Sequence, residues 1–138
     1  MSPKYVLDAC SVIAYLTGED GADVIEALIN DAIDKAAELF MHKINLYEVF
    51  YDTWRSQDEA AAIIFYDTFT NLPVSIIDSI SDELMAEAAR LKTEYRVSVA
   101  DSFALAAAKL NDAVLVTSDH REFDPVEEKG DIAFHWIR

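Results

Sequence analysis

Four carboxylates interrupt the most apolar segments of this chain. They are Asp8 in Val6-Leu7-Asp8-Ala9, Glu48 in Leu46-Tyr47-Glu48-Val49-Phe50, Asp101 in Val99-Ala100-Asp101-Ser102-Phe103 and Asp119 in Val116-Thr117-Ser118-Asp119. Most of the 26 acidic residues lie instead in polar stretches such as Glu19-Asp20 and Glu127-Glu128, so context and not number singles these four out. A carboxylate beside a core is costly to desolvate unless a partner compensates it. No matched set of basic residues shares these segments, although Lys43 or Arg96 could reach one of them. A divalent cation answers all four at once. Ligation by carboxylates and water suits Mg²⁺ or Mn²⁺, hard cations that keep several waters and accept phosphate oxygens, which makes a phosphodiester the natural substrate.

Each of these residues also has a plainer reading. Asp8 and Asp119 fit helix or turn caps, and Ser98 with Asp101 has capping-box spacing. Glu48 falls mid-helix near Phe50, Tyr51 and Trp54, where the alternative is a solvated helical face. Thr117 is placed either to orient a carboxylate or a metal-bound water, or simply to end a strand with a β-branched residue. Glu122 is a fifth acid of the outer shell or an exposed turn residue, with the turn favoured. Asn45, one helical turn before Glu48, hydrogen-bonds substrate or caps its helix, and the cap is the expectation. Phe65, Tyr66 and Phe69 read as core or subunit contact, the alternative being exposed rings that stack bases.

Alternating strands and helices must position these groups. Tyr5 to Leu7, Leu39 to His42, Val74 to Ile77, Ala113 to Thr117 and Ile132 to Trp136 read as strands. Between them, helical spacing predicts helices over 9–16, 23–38, 44–54, 58–69, 81–95 and 98–110. Strands repeatedly separated by helices need crossover connections, so the fold class is α/β, a mostly parallel sheet in an α/β/α sandwich. Asp8 and Asp119 then follow parallel strands, at the end where open α/β sheets bind ligands, and Glu48 and Asp101 enter from helices.

At 138 residues, 52% of them hydrophobic, with three Gly, three Pro and no linker or repeat, a single domain over 1–138 is expected. No apolar run is long enough for a bilayer, and the expected setting is cytoplasmic without membrane association. Cys10 is the one cysteine, and the three histidines lack paired metal-ligand spacing, which argues against zinc. The formal charge of −15 opposes nucleic-acid binding through a basic face; it serves solubility, cation recruitment or a basic partner.

On the segments Tyr5-Val6-Leu7-Asp8-Ala9, Ile44-Asn45-Leu46-Tyr47-Glu48-Val49, Ser98-Val99-Ala100-Asp101-Ser102 and Leu115-Val116-Thr117-Ser118-Asp119 leading to Phe123, the chain resembles PIN-domain ribonucleases, specifically the VapC toxins of toxin–antitoxin pairs. The likeness spans essentially the whole sequence. It implies a five-stranded parallel sheet, a homodimer inhibited by a cognate antitoxin, RNA as substrate, the four acids around Mg²⁺ or Mn²⁺, and a threonine, here Thr117, supporting the site. Hydrolysis would then use a metal-activated water, with Asp8, Asp101 and Asp119 as main ligands and Glu48 completing the shell or orienting the water. The chain departs from the family at Cys10, where Ser, Thr or Asn is usual, and in its acidity, which leaves Lys43, Arg55 and Arg96 as candidate RNA contacts, although a solvated surface role is the expectation for each. The competing reading is a non-catalytic docking module. Aspartyl phosphotransfer is disfavoured because Asp8-Ala9-Cys10 lacks a second nearby acid, and a dinucleotide fold because no Gly-x-Gly-x-x-Gly occurs.

Overall fold

Side chains alternate across a strand, and in this chain both faces of the central strands are apolar. Val6 packs in one core with Leu91, Leu105, Leu115 and Phe123, while its neighbour Leu7 packs in another with Val12, Ile25, Leu39 and Val116. A sheet buried on both faces needs helices on both, which is why these strands read as continuous apolar runs. A computed structural model of the chain describes residues 2–138. In order, the elements are β1 (Lys4–Leu7), α1 (Ala9–Thr17), α2 (Ala22–Ile33), β2 (Glu38–His42), α3 (Lys43–Ser56), α4 (Glu59–Phe69), β3 (Val74–Ile77), α5 (Asp82–Tyr95), α6 (Val99–Leu110), β4 (Val114–Thr117), α7 (His120–Glu128) and β5 (Phe134–Trp136).

The sheet has five strands in the order β3-β2-β1-β4-β5, and every pairing is parallel. Buried residues of α1 to α4 join Leu7 and Val116 on one face; those of α5, α6 and α7 join Val6 and Leu115 on the other. The expected α/β/α sandwich is therefore observed. From β1 the chain runs outward through β2 and β3, then returns to β4 on the other side of β1. The strand order reverses at the β1/β4 pair, where Leu7 aligns with Val116. No helix among the described residues is long and apolar enough to cross a membrane.

Three local readings are corrected. Helix α2 stops at Ile33 instead of continuing to Glu38, because Lys35 takes a left-handed φ of 60° and the Ala36 amide closes back on the Asp31 carbonyl. A glycine would have announced that stop; a lysine does not. Residues 120–128 form a helix, α7, where the polar stretch around Glu122 had suggested an exposed turn. Only Phe123 and Val126 anchor it, one turn apart. Finally, His42 and not Asn45 caps α3: its Nδ1 accepts from the Ile44 amide at 3.0 Å while Nε2 faces the Ser79 carbonyl at 3.1 Å.

Gly21 starts α2 with φ 101°, and a Cβ there would lie 2.8 Å from the Ile137 side chain and its carbonyl oxygen. Gly18, which caps α1 at φ 69°, has open space around it. In urea melts Gly18→Ala should cost about 1 kcal/mol for backbone strain alone, and Gly21→Ala more, about 2–3 kcal/mol. Equal losses would mean that the Ile137 contact yields freely.

Candidate active site

Strand order places two of the four acids. Asp8 directly follows β1 and its amide donates to the Val116 carbonyl at 3.4 Å, while Asp119 lies two residues beyond β4. Both therefore stand at the carboxyl ends of adjacent parallel strands, at the reversal point where such sheets open a crevice. Glu48 comes from α3, in the layer over one face, and Asp101 from the first turn of α6, in the layer over the other. These two helices pack against each other above the sheet end.

The local chain explains each placement. Asp8 caps α1, its Oδ1 accepting from the Ser11 amide at 2.8 Å, and the Ser11 hydroxyl returns a bond to the Asp8 carbonyl at 3.0 Å. Asp119 caps α7 by accepting from the Glu122 amide at 3.2 Å, and its own amide donates to Thr117 Oγ1 at 3.0 Å. Ser98 caps α6 by accepting from the Asp101 amide at 3.1 Å. A capping oxygen leaves the second carboxylate oxygen of Asp8 and Asp119 available, so cap and ligand are compatible roles. Thr117 and Ser11 are both fully buried.

Asn45 is buried inside α3, and its Nδ2 donates to the Ala100 carbonyl at 3.1 Å. Glu122, half-buried in the first turn of α7, is a helix residue and not the exposed turn expected. Two further contacts lie beside Asp8. The Cys10 thiol meets the Ser118 hydroxyl at 2.9 Å, joining the β1–α1 and β4–α7 junctions, and Ser11 supports Asp8.

Electrostatics connect Asp101 to the other three acids. Burial drives Asp8 up to about 6, with Thr117 and Ser11 hydrogen bonds tempering the rise and the Asp119 charge adding to it. Asp101 rises to about 7, first through burial and next through the Asp8 charge, with Glu48 and Asp119 adding and the Ser98 hydroxyl opposing. Glu48 is also raised, chiefly by burial, against a pull from Asn45. No ion pair among the described residues involves any of the four. Nor do any three His, Cys, Asp or Glu side chains among them form a ready-made cation cage. The carboxylates thus feel one another's charge without having drawn together, as expected of like charges lacking a counter-ion. An all-oxygen donor set and a buried, unpartnered Asn45 Oδ1 fit a hydrated Mg²⁺ or Mn²⁺ better than a softer metal.

The PIN domain family model matches residues 5–129, and the chain belongs to the PIN domain family. Among curated proteins none matches it. Its fold is similar to a chain of VapBC2 from Rickettsia felis bound to a promoter DNA fragment, at TM-score 0.73 and 21% identity, covering 96% of this chain and 98% of that one. DNA-bound VapBC from Salmonella typhimurium gives TM-score 0.73 at 17% identity, with 99% of each chain covered. VapBC-5 of Mycobacterium tuberculosis, from the VapBC family of toxin–antitoxin systems, gives 0.63 at 18% identity and 98% coverage of both. At these identities the likeness establishes the fold.

Raised carboxyl pKa values carry a stability consequence. The folded chain holds the Asp8 and Asp101 protons more tightly than the unfolded chain, so metal-free stability falls as pH rises from about 4 through the folded values near 6 and 7. Asp101→Asn should therefore be more stable than the parent in urea at about pH 8 with chelator, by on the order of 1 kcal/mol, with the gain gone by about pH 4. A gain independent of pH would show that the ionised, desolvated carboxylate is not its source.

Proposed function

We propose that the chain is a Mg²⁺- or Mn²⁺-dependent endoribonuclease, a single PIN domain acting in the cytoplasm as the toxin of a VapBC-type toxin–antitoxin pair. The observation that carries this reading is the set of mutually coupled acids at the strand-reversal crevice with no basic side chain paired to them. Asp8, Asp101 and Asp119 would hold the cation directly or through water, and Glu48 would complete the shell or orient the attacking water. When bound, the cation would supply a nucleophilic water at neutral pH and offset charge on the phosphate. Thr117, Ser98 and Asn45 keep the carboxylates in place through the bonds described above, with Glu122 outside them.

Hollows of about 490 and 360 Å³ exist near α3, but none of the four acids lines either. A chain crossing the crevice suits this surface better than an enclosed small molecule. Arg55 is held by Asp52 at 2.6 Å, whereas Lys43 and Arg96 are exposed and outside the ion pairs, so these two are the better RNA contacts of the three. Exposed Tyr47, Tyr51, Trp54, Ile63 and Ile64 on α3 and α4 offer an apolar surface for the antitoxin and for a second copy of the chain. The likeness to chains of VapBC complexes supports the antitoxin as partner.

Partner-free protein given total RNA should produce discrete fragments with Mn²⁺ or Mg²⁺ and none with chelator. Asp101→Asn should cut at least about 100-fold more slowly, since a metal site supplies several kcal/mol. Metal-independent cleavage, or full activity in the variant, contradicts the nuclease reading. Folded protein that cleaves nothing while binding its partner points to the docking module instead.

A further inference from the structure

Among the described residues, one buried side-chain nitrogen or oxygen lacks a hydrogen-bond partner: Asn45 Oδ1. Its orientation is not ambiguous. The Asn45 amide meets the Ala100 carbonyl, which can only accept, so nitrogen must face it and oxygen must turn away. Leaving a buried carbonyl oxygen unpaired costs about 1–3 kcal/mol, and apolar side chains of similar volume would fill the same space without that cost. The residue also sits at a junction. It lies one turn before Glu48 on α3, and its Nδ2 holds the residue just before Asp101 on α6. One amide thus links the helices that bring in the two acids not fixed by strand ends.

We propose that Asn45 is a positioning residue for the cation site: its Nδ2 sets the spacing of Glu48 and Asp101 across the α3–α6 contact, and its Oδ1 accepts from a water of the bound cation's shell. This rests on the metal-dependent reading above. An acceptor is the right group there, because water held by a divalent cation presents its hydrogens outward.

Asn45→Leu removes both hydrogen-bonding atoms at similar volume, and Asn45→Ala removes them with a cavity. Calorimetric titration of each variant and the parent with Mn²⁺, without RNA, reads the site directly, and urea melts report the folded fraction. Loss of an outer-shell partner lowers metal affinity about 10–100-fold, and that is the loss expected per folded molecule in both variants. Asn45→Leu should melt no earlier than the parent, and its RNA cleavage should fall in kcat with KM changed less than about threefold, because the residue orients ligands and does not touch substrate. Parental Mn²⁺ affinity in either folded variant overturns the proposal, as does an activity loss that merely follows the folded fraction. If the parent itself neither binds Mn²⁺ nor cuts RNA, the nuclease reading fails and takes this role with it; a binding-competent parent beside unaffected variants sinks only the role of Asn45.

Discussion

The cost of taking carboxylates out of water at one end of a sheet is the constraint around which this molecule is arranged. Two acids are placed by strand ends and two by helices from opposite layers, so bringing them together requires the whole α/β/α stack. The sheet supplies adjacent β1 and β4 termini at its reversal point; α3 and α6 close over them from either face. Removing water from such a group is unfavourable, and burial accordingly raises the pKa of Asp8, Glu48 and Asp101. The surrounding scaffold tolerates it because three of the four acids, or a residue close by, also satisfy a helix end. Asp8 and Asp119 cap α1 and α7, and Ser98 caps α6 beside Asp101.

That dual use dissolves the opposition between cap and ligand. One carboxylate oxygen suffices for a backbone amide, and a helix N-terminus favours negative charge close by. Local folding therefore restrains Asp8 and Asp119 before any cation arrives. Elsewhere the chain shows how acids behave when merely structural. Asp131 is held down to about 2 by Arg90, with Lys109 and Tyr95 assisting, and it fastens the approach to β5 onto α5 and α6. The contrast in counter-charge separates the two kinds of acid more clearly than burial does.

Strands and layering were legible in the sequence because apolar runs of strand length, alternating with amphipathic helices, admit few arrangements. The four acids were legible because they break such runs. What escaped detection has physical causes: Lys35 adopts a left-handed conformation usually given to glycine, at φ 60°, so the end of α2 carried no signal. The polar stretch around Glu122 concealed α7, and a histidine cap displaced the expected role of Asn45. The links from Asn45 to Ala100 and from Cys10 to Ser118 span 55 and 108 residues, and no local pattern encodes contacts at such separation.

If the acids are a cation site, binding must displace the protons that burial has stabilised. Calorimetry of Mn²⁺ binding at about pH 6 in two buffers of different ionisation enthalpy counts those protons directly. With Asp8 poised near 6 and Asp101 near 7, the account predicts release of about one proton or more per Mn²⁺, declining toward zero above about pH 8. Mn²⁺ binding without proton release at pH 6, or no binding at all, would contradict it.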